Sequence, residues 1–115
     1  MKPFISLKNK REFDKVYNCR WSVANKYLIM FICKNELGYN RVGISISKKV
    51  GNSVVRHRIT RLLRESYRLN SSAVKNGYDI VVVARDSVKD KSYYEVESAL
   101  LHLFKLLKIN SLTNN

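Results

Sequence analysis

The chain has 115 residues, with 22 Lys or Arg against 9 Asp or Glu for a formal charge of +13, and 45% of it is hydrophobic. That apolar share excludes a disordered basic tail and suits one ordinary core, while 4 Gly and 1 Pro exclude collagen-like and Pro-rich linker sequences. Like charge on this scale opposes compaction, so a polyanionic partner is expected.

The segment from Ser6 to Asn18 sets Leu7, Phe13, Val16 and Tyr17 among Lys8, Lys10, Arg11 and Lys15, and predicts a short first helix. Tyr27 to Cys33 is a continuous apolar run that reads as a strand covered on both faces, closed by the turn-like Asn35 to Gly38. Arg41 to Ser47 alternates with period two: Val42, Ile44 and Ile46 face one way, Gly43, Ser45 and Ser47 the other. That second face is small and polar, and beside an apolar strand it could floor a shallow cleft. Asn52 is the expected N-cap of a long helix running to Leu69. After a loop from Asn70 to Gly77, Tyr78 to Ala84 reads as a buried central strand. Val96, Leu100, Leu103, Phe104 and Leu107 then recur at helical spacing until Asn110. The order helix, strand, strand, helix, strand, helix predicts a single layered domain, α+β or α/β, over residues 1–115, with 110–115 a frayed tail.

At 100° per residue, Val55, Ile59, Leu62, Leu63, Tyr67 and Leu69 share the core arc of the second helix. His57, Arg61, Arg64 and Arg68 form a narrow stripe on the other side, with Arg58 just beyond it and Arg56 at the edge of the apolar arc. A solvated charged face is the bland interpretation of such a stripe. Arg without Lys, with only Glu65 as an intrahelical acid, instead suits phosphate, and Lys48 and Lys49 add charge where the helix begins. Use of this helix on a membrane would need its apolar face free, and the core requires that face. Phe13, Tyr17 and Phe31 near Lys8, Arg11 and Lys15 form a second candidate site, with aromatics to stack bases and cations to follow a backbone. Packing of a helix on a sheet would explain the same aromatics.

No catalytic residues and no metal ligands stand out. His57 and His102 are isolated, the acids Asp79, Asp86, Asp90, Glu95 and Glu97 do not fall at metal-binding spacing, and no phosphate loop or nucleophile motif is present. Cys19 and Cys33 lack the further ligands of a metal cage and are read as reduced thiols with packing or surface roles. No apolar run approaches the roughly 18 to 20 residues that span a bilayer, and MKPFISLKNKREF lacks the apolar centre of a signal peptide, so a cytoplasmic protein without membrane or small-molecule partners is expected.

The run from Arg41 to Glu65, RVGISISKKVGNSVVRHRITRLLRE, closely resembles the signature of the bacterial ribonuclease P protein component. The similarity extends through the first helix with its Phe and Tyr, the strand Asp79 to Arg85 and the closing helix. It implies the small basic subunit of an endoribonuclease whose active site is RNA, removing the 5′ leader of precursor tRNA with Mg2+ used by the RNA-based holoenzyme. The implied fold is an α+β sandwich of a mixed sheet packed with helices, ribosomal-protein-like, with a left-handed βαβ crossover. The implied partners are the catalytic RNA subunit, met by Lys48, Lys49, Asn52, Arg56, His57, Arg58, Arg61, Arg64 and Arg68, and the precursor tRNA. Its leader would lie in a central cleft against Phe13, Tyr17 and Phe31, flanked by Lys8, Arg11 and Lys15. Two positions depart from the family pattern: His57 stands where Asn is usual, and Thr60 where Lys is common. An imidazole can still hydrogen-bond RNA there. The alternatives are a ribosomal or general structured-RNA-binding protein without a processing role and, behind it, a protein-only nuclease, which would need a metal-binding carboxylate cluster.

Overall fold

A computed structural model describes residues 4–109; the expected frayed tail at 110–115 lies outside them. Helix α1 is Lys10–Asn18, followed by β1 (Ser22–Ala24), β2 (Leu28–Lys34), β3 (Arg41–Ile46), α2 (Ser53–Asn70), β4 (Tyr78–Ala84) and α3 (Tyr93–Leu107). The fold is α+β, with the expected order of major elements and one short strand more, β1, at a sheet edge. The sheet order is β1-β2-β4-β3, antiparallel except between β3 and β4, which run parallel and are joined through α2.

Each helix starts where a side chain satisfies amide groups that have no partner within the helix. Asn9 accepts from the Glu12 amide, so α1 begins at Lys10 and the expected start at Ser6 is too early. Residues before the cap are extended instead: Ser6 bridges Val42 in parallel, and the Leu7 amide donates to the Val42 carbonyl at 3.1 Å. Asn52 caps α2 through the Val55 amide, as expected, and Ser92 with Glu95 forms a reciprocal capping box on α3.

Alternation along the strands divides the sheet into two faces. Leu28, Met30 and Ile32 of β2, Val42 of β3, and Ile80, Val82 and Ala84 of β4 pack under α2 and α3 with Ile59, Leu63, Tyr67, Val96, Leu100, Leu103 and Phe104. Val55 and Leu62 join this core half-buried, whereas Leu69, expected in the core arc, is exposed because the helix is ending there. The opposite face carries a smaller cluster, Leu7, Val16, Cys33 and Val81, with Phe13, Tyr17, Phe31 and Val83 against it.

Cys19 and Cys33 are joined by a disulfide, correcting the expectation of reduced thiols. Their Cα atoms are 5.7 Å apart because the end of α1 returns to the end of β2, a tertiary approach that spacing in the sequence does not disclose.

Candidate nucleic-acid interface

Register orders the α1 side of the sheet into three rows. Cys33, Asp79 and Arg41 form the first, Phe31, Val81 and Gly43 the second, and Ile29, Val83 and Ser45 the third. Helix α1 crosses the first two. Its start is anchored by Arg41, which donates to Glu12 at 2.8 Å and clasps both carboxylate oxygens of Asp79 at 2.9 and 2.7 Å. Phe13 lies on Gly43 so closely that a Cβ there would collide with its ring, Val16 is fully buried, and Tyr17 meets Phe31 edge to face at 4.8 Å. The third row stays half-buried beside the helix, with the exposed Ala24 of β1 continuing it at the edge. The result is a groove with an aromatic wall and a small, partly apolar floor. Ser45, read from the sequence with Gly43 as the small face of their strand, is on that floor, whereas Gly43 is buried beneath the Phe13 ring.

The three aromatics of the candidate leader site are thus brought together; their expected cations are not. Arg11 and Lys15 line a hollow along α1 with Lys10, Glu12, Cys19 and Arg41, and Lys8 is exposed at the entry to the helix. Sequence reasoning missed Arg41 and Asp79, the pair that fixes α1. Burial alone would raise the Asp79 carboxyl, but hydrogen bonds from Arg41 and Asn35 outweigh it and hold the group below its ordinary value. The only signal in the sequence was an Arg and an Asp at inward positions of two neighbouring strands.

On the opposite side of the molecule, His57, Arg58, Arg61 and Arg64 are exposed along α2, and Arg56 and Arg68 are half-buried. Among the described residues, no side-chain hydrogen bond or ion pair holds His57 or Arg61. The other arginines are engaged. Arg56 donates to the Gly51 carbonyl, Arg58 donates to the Lys89 and Lys91 carbonyls at 3.4 and 2.7 Å, Arg64 stacks its guanidinium 4.5 Å from the Phe4 ring centre, and Arg68 pairs with Glu65. Arg58, Arg61, Arg64 and Arg68 share a hollow with Phe4, Glu65 and Tyr93. Tyr93 donates to Glu97, and burial first, then the neighbouring carboxylate, pushes its phenol up to about 12, so it remains a neutral donor at physiological pH. Lys48 and Lys49 are exposed in the approach to α2. Asn52 directs its side chain into its own helix cap, and Thr60 donates to the Arg56 carbonyl.

The family model for ribonuclease P matches residues 1–108. The chain belongs to the ribonuclease P protein family. The ribonuclease P protein component of Lachnoclostridium phytofermentans is 64% identical over 92% of this chain and 91% of its own length. That of Alkaliphilus oremlandii is 53% identical over 95% and 96%. The structure of the Staphylococcus aureus ribonuclease P protein superposes with a TM-score of 0.85 at 34% identity, covering 95% of this chain and 99% of the other. The ribonuclease P protein of Thermotoga maritima gives 0.82 at 30% identity, covering 88% and 96%. As a ribonuclease P protein component, the chain is part of an endoribonuclease.

Among the described residues, no group of three or more His, Cys, Asp or Glu could hold a metal ion, and no helix is long and apolar enough to cross a membrane. Asp79 and Glu12 answer Arg41, Glu65 answers Arg68, and Glu95 belongs to the α3 cap.

Proposed function

We propose that this chain, acting in the cytoplasm, binds the catalytic RNA of ribonuclease P through the cationic side of α2 and the 5′ leader of precursor tRNA in the groove beside α1. The observation that carries this reading is that a chain of this family offers two separate RNA-suited surfaces on opposite sides of one sheet. Arg61, Arg64 and His57, with Lys48 and Lys49, present donors to phosphate. Phe13, Tyr17 and Phe31 give an aromatic wall on which bases of an unpaired strand stack, and the small Ser45 on the floor beside it lets the strand approach. The protein then contributes positioning and charge neutralisation while RNA performs the hydrolysis. Mg2+ would be held by RNA and substrate phosphates, while Glu12, Asp14, Glu65 and Asp79 of this chain pair with its own cations and Glu95 caps α3.

Cleavage of a precursor tRNA at low Mg2+ tests the reading, with RNA subunit alone, protein alone and both together. Leader release only in the mixture is the expected result. Binding of RNA without stimulated cleavage would favour a general structured-RNA-binding protein, and cleavage by the protein alone would overturn the assignment of chemistry to RNA.

A further inference from the structure

We propose that Cys19 and Cys33 form a reversible redox site whose closure locks α1 over the sheet, and with it the aromatic wall of the groove. The effect on RNA rests on the leader reading above; the redox chemistry and the locking do not.

The two sulfurs differ in their access. Cys19 ends α1 and is exposed, whereas Cys33 is 8% exposed, inside the small cluster with Val16 and Val81. An external thiol or disulfide therefore meets Cys19 first. Cys19 also borders the hollow lined by Lys10, Arg11, Glu12, Asp14, Lys15 and Arg41; Asp14 pairs with Lys10 and Glu12 with Arg41, so Arg11 and Lys15 are the cations that meet an anionic low-molecular-weight disulfide such as oxidised glutathione. In the closing reaction the Cys19 thiolate attacks one sulfur of that disulfide, forming a mixed disulfide and releasing one glutathione thiolate. The Cys33 thiolate then attacks the Cys19 sulfur and expels the second. Two protein thiols lose two protons and two electrons, and the oxidant becomes two glutathione thiols. Reduction reverses both steps, starting at the exposed sulfur. In a glutathione-buffered compartment, disulfides of this kind are characteristically transient or redox-sensing.

Closure acts on the element that builds the groove. The start of α1 is held by the Arg41 ion pairs, and its far end, among the described residues, by Val16, the Tyr17–Phe31 contact and the disulfide. Cys33 shares its strand with Phe31, and Cys19 follows Tyr17 by two residues, so the bond fixes the spacing of the two stacking rings. Restricting α1 in advance removes ordering that a bound strand would otherwise impose, so the oxidised protein binds an unpaired strand more tightly, by about fivefold.

The test equilibrates the full-length chain in oxidised and in reduced glutathione and counts alkylatable thiols by mass spectrometry. It then compares amide hydrogen exchange in α1 and affinity for a fluorescent single-stranded RNA oligonucleotide. Oxidation should remove both alkylatable thiols, slow exchange across residues 10–18 and tighten oligonucleotide binding about fivefold, with affinity for the catalytic RNA unchanged. Cys19→Ser, at an exposed position, should keep the reduced-state affinity and lose all redox response. Thiols that remain alkylatable in oxidised glutathione, or α1 exchange equal in both states, would overturn the proposal. If the oligonucleotide binds in neither state while the disulfide forms and α1 exchange slows, the leader reading fails and the redox lock stands.

Discussion

Arg41 is the residue on which the groove depends, and its partners set a testable pH dependence. It bridges Glu12 on α1 to Asp79, whose side chain is 3% exposed, so removing the Asp79 charge leaves a guanidinium without its principal partner. Asp79→Asn should cost about 2–4 kcal/mol in urea unfolding at pH 7. Because the folded Asp79 carboxyl lies below its ordinary value, that contribution is complete above about pH 4 and disappears as the pH falls through the depressed value. Parent and variant stabilities should therefore converge in acid; a difference that stays constant across the acid range would assign the effect to packing instead. Gly43 makes a second prediction at this scale. A Val there would force the Phe13 ring off the sheet, so Gly43→Val should lose about 1–3 kcal/mol of stability and weaken binding of a single-stranded oligonucleotide. Calorimetry and fluorescence titration would check the two effects separately.

At the scale of elements, α2 serves two masters with different residues. Ile59, Leu63 and Tyr67 hold it to the sheet, while among the described residues no side-chain hydrogen bond or ion pair holds Arg61 or His57. Arg61→Ala should leave the thermal midpoint nearly unchanged and lower the slope of log affinity against log salt by about 0.7–0.9 for the RNA subunit, the share of one phosphate contact. Arg58 should behave differently, because its guanidinium holds the connection between β4 and α3 through two carbonyls. This division was half legible in the sequence. Helical spacing separated the core arc from the cationic stripe, and period-two alternation placed Gly43 and Ser45 on one face of β3. The destinations of Arg58 and Arg64 were not legible, because they depend on the Lys89 to Lys91 loop and on Phe4, which come close only after folding. The same limit explains β1, too short for an alternation to register, and the Cys19–Cys33 bond. Asn9 marks the true start of α1, but a capping Asn among Lys residues is a weak signal until the amide it accepts from is known.

For the whole molecule, the charge of +13 and the sheet topology determine behaviour in solution. With no bound polyanion, exposed cations on α2 and α1 repel one another, so sulfate at low ionic strength should raise the thermal midpoint beyond what an equal ionic strength of chloride achieves. Circular dichroism melts would decide, and equal midpoints in the two salts would show that the fold tolerates its charge unaided.

Strand β3 closes one end of the sheet, and the segment before α1 lies along it: the Val42 amide donates to the Ile5 carbonyl at 2.8 Å, Leu7 is buried, and Phe4 packs on Tyr67. Those few residues act as a sacrificial strip, occupying hydrogen-bonding groups that another molecule's strand could otherwise adopt. Deleting residues 1–8 should bare the edge and convert a monodisperse sample into one that self-associates with concentration, visible by light scattering. Affinity handles for purification therefore belong at the other terminus, where they cannot peel that strip away.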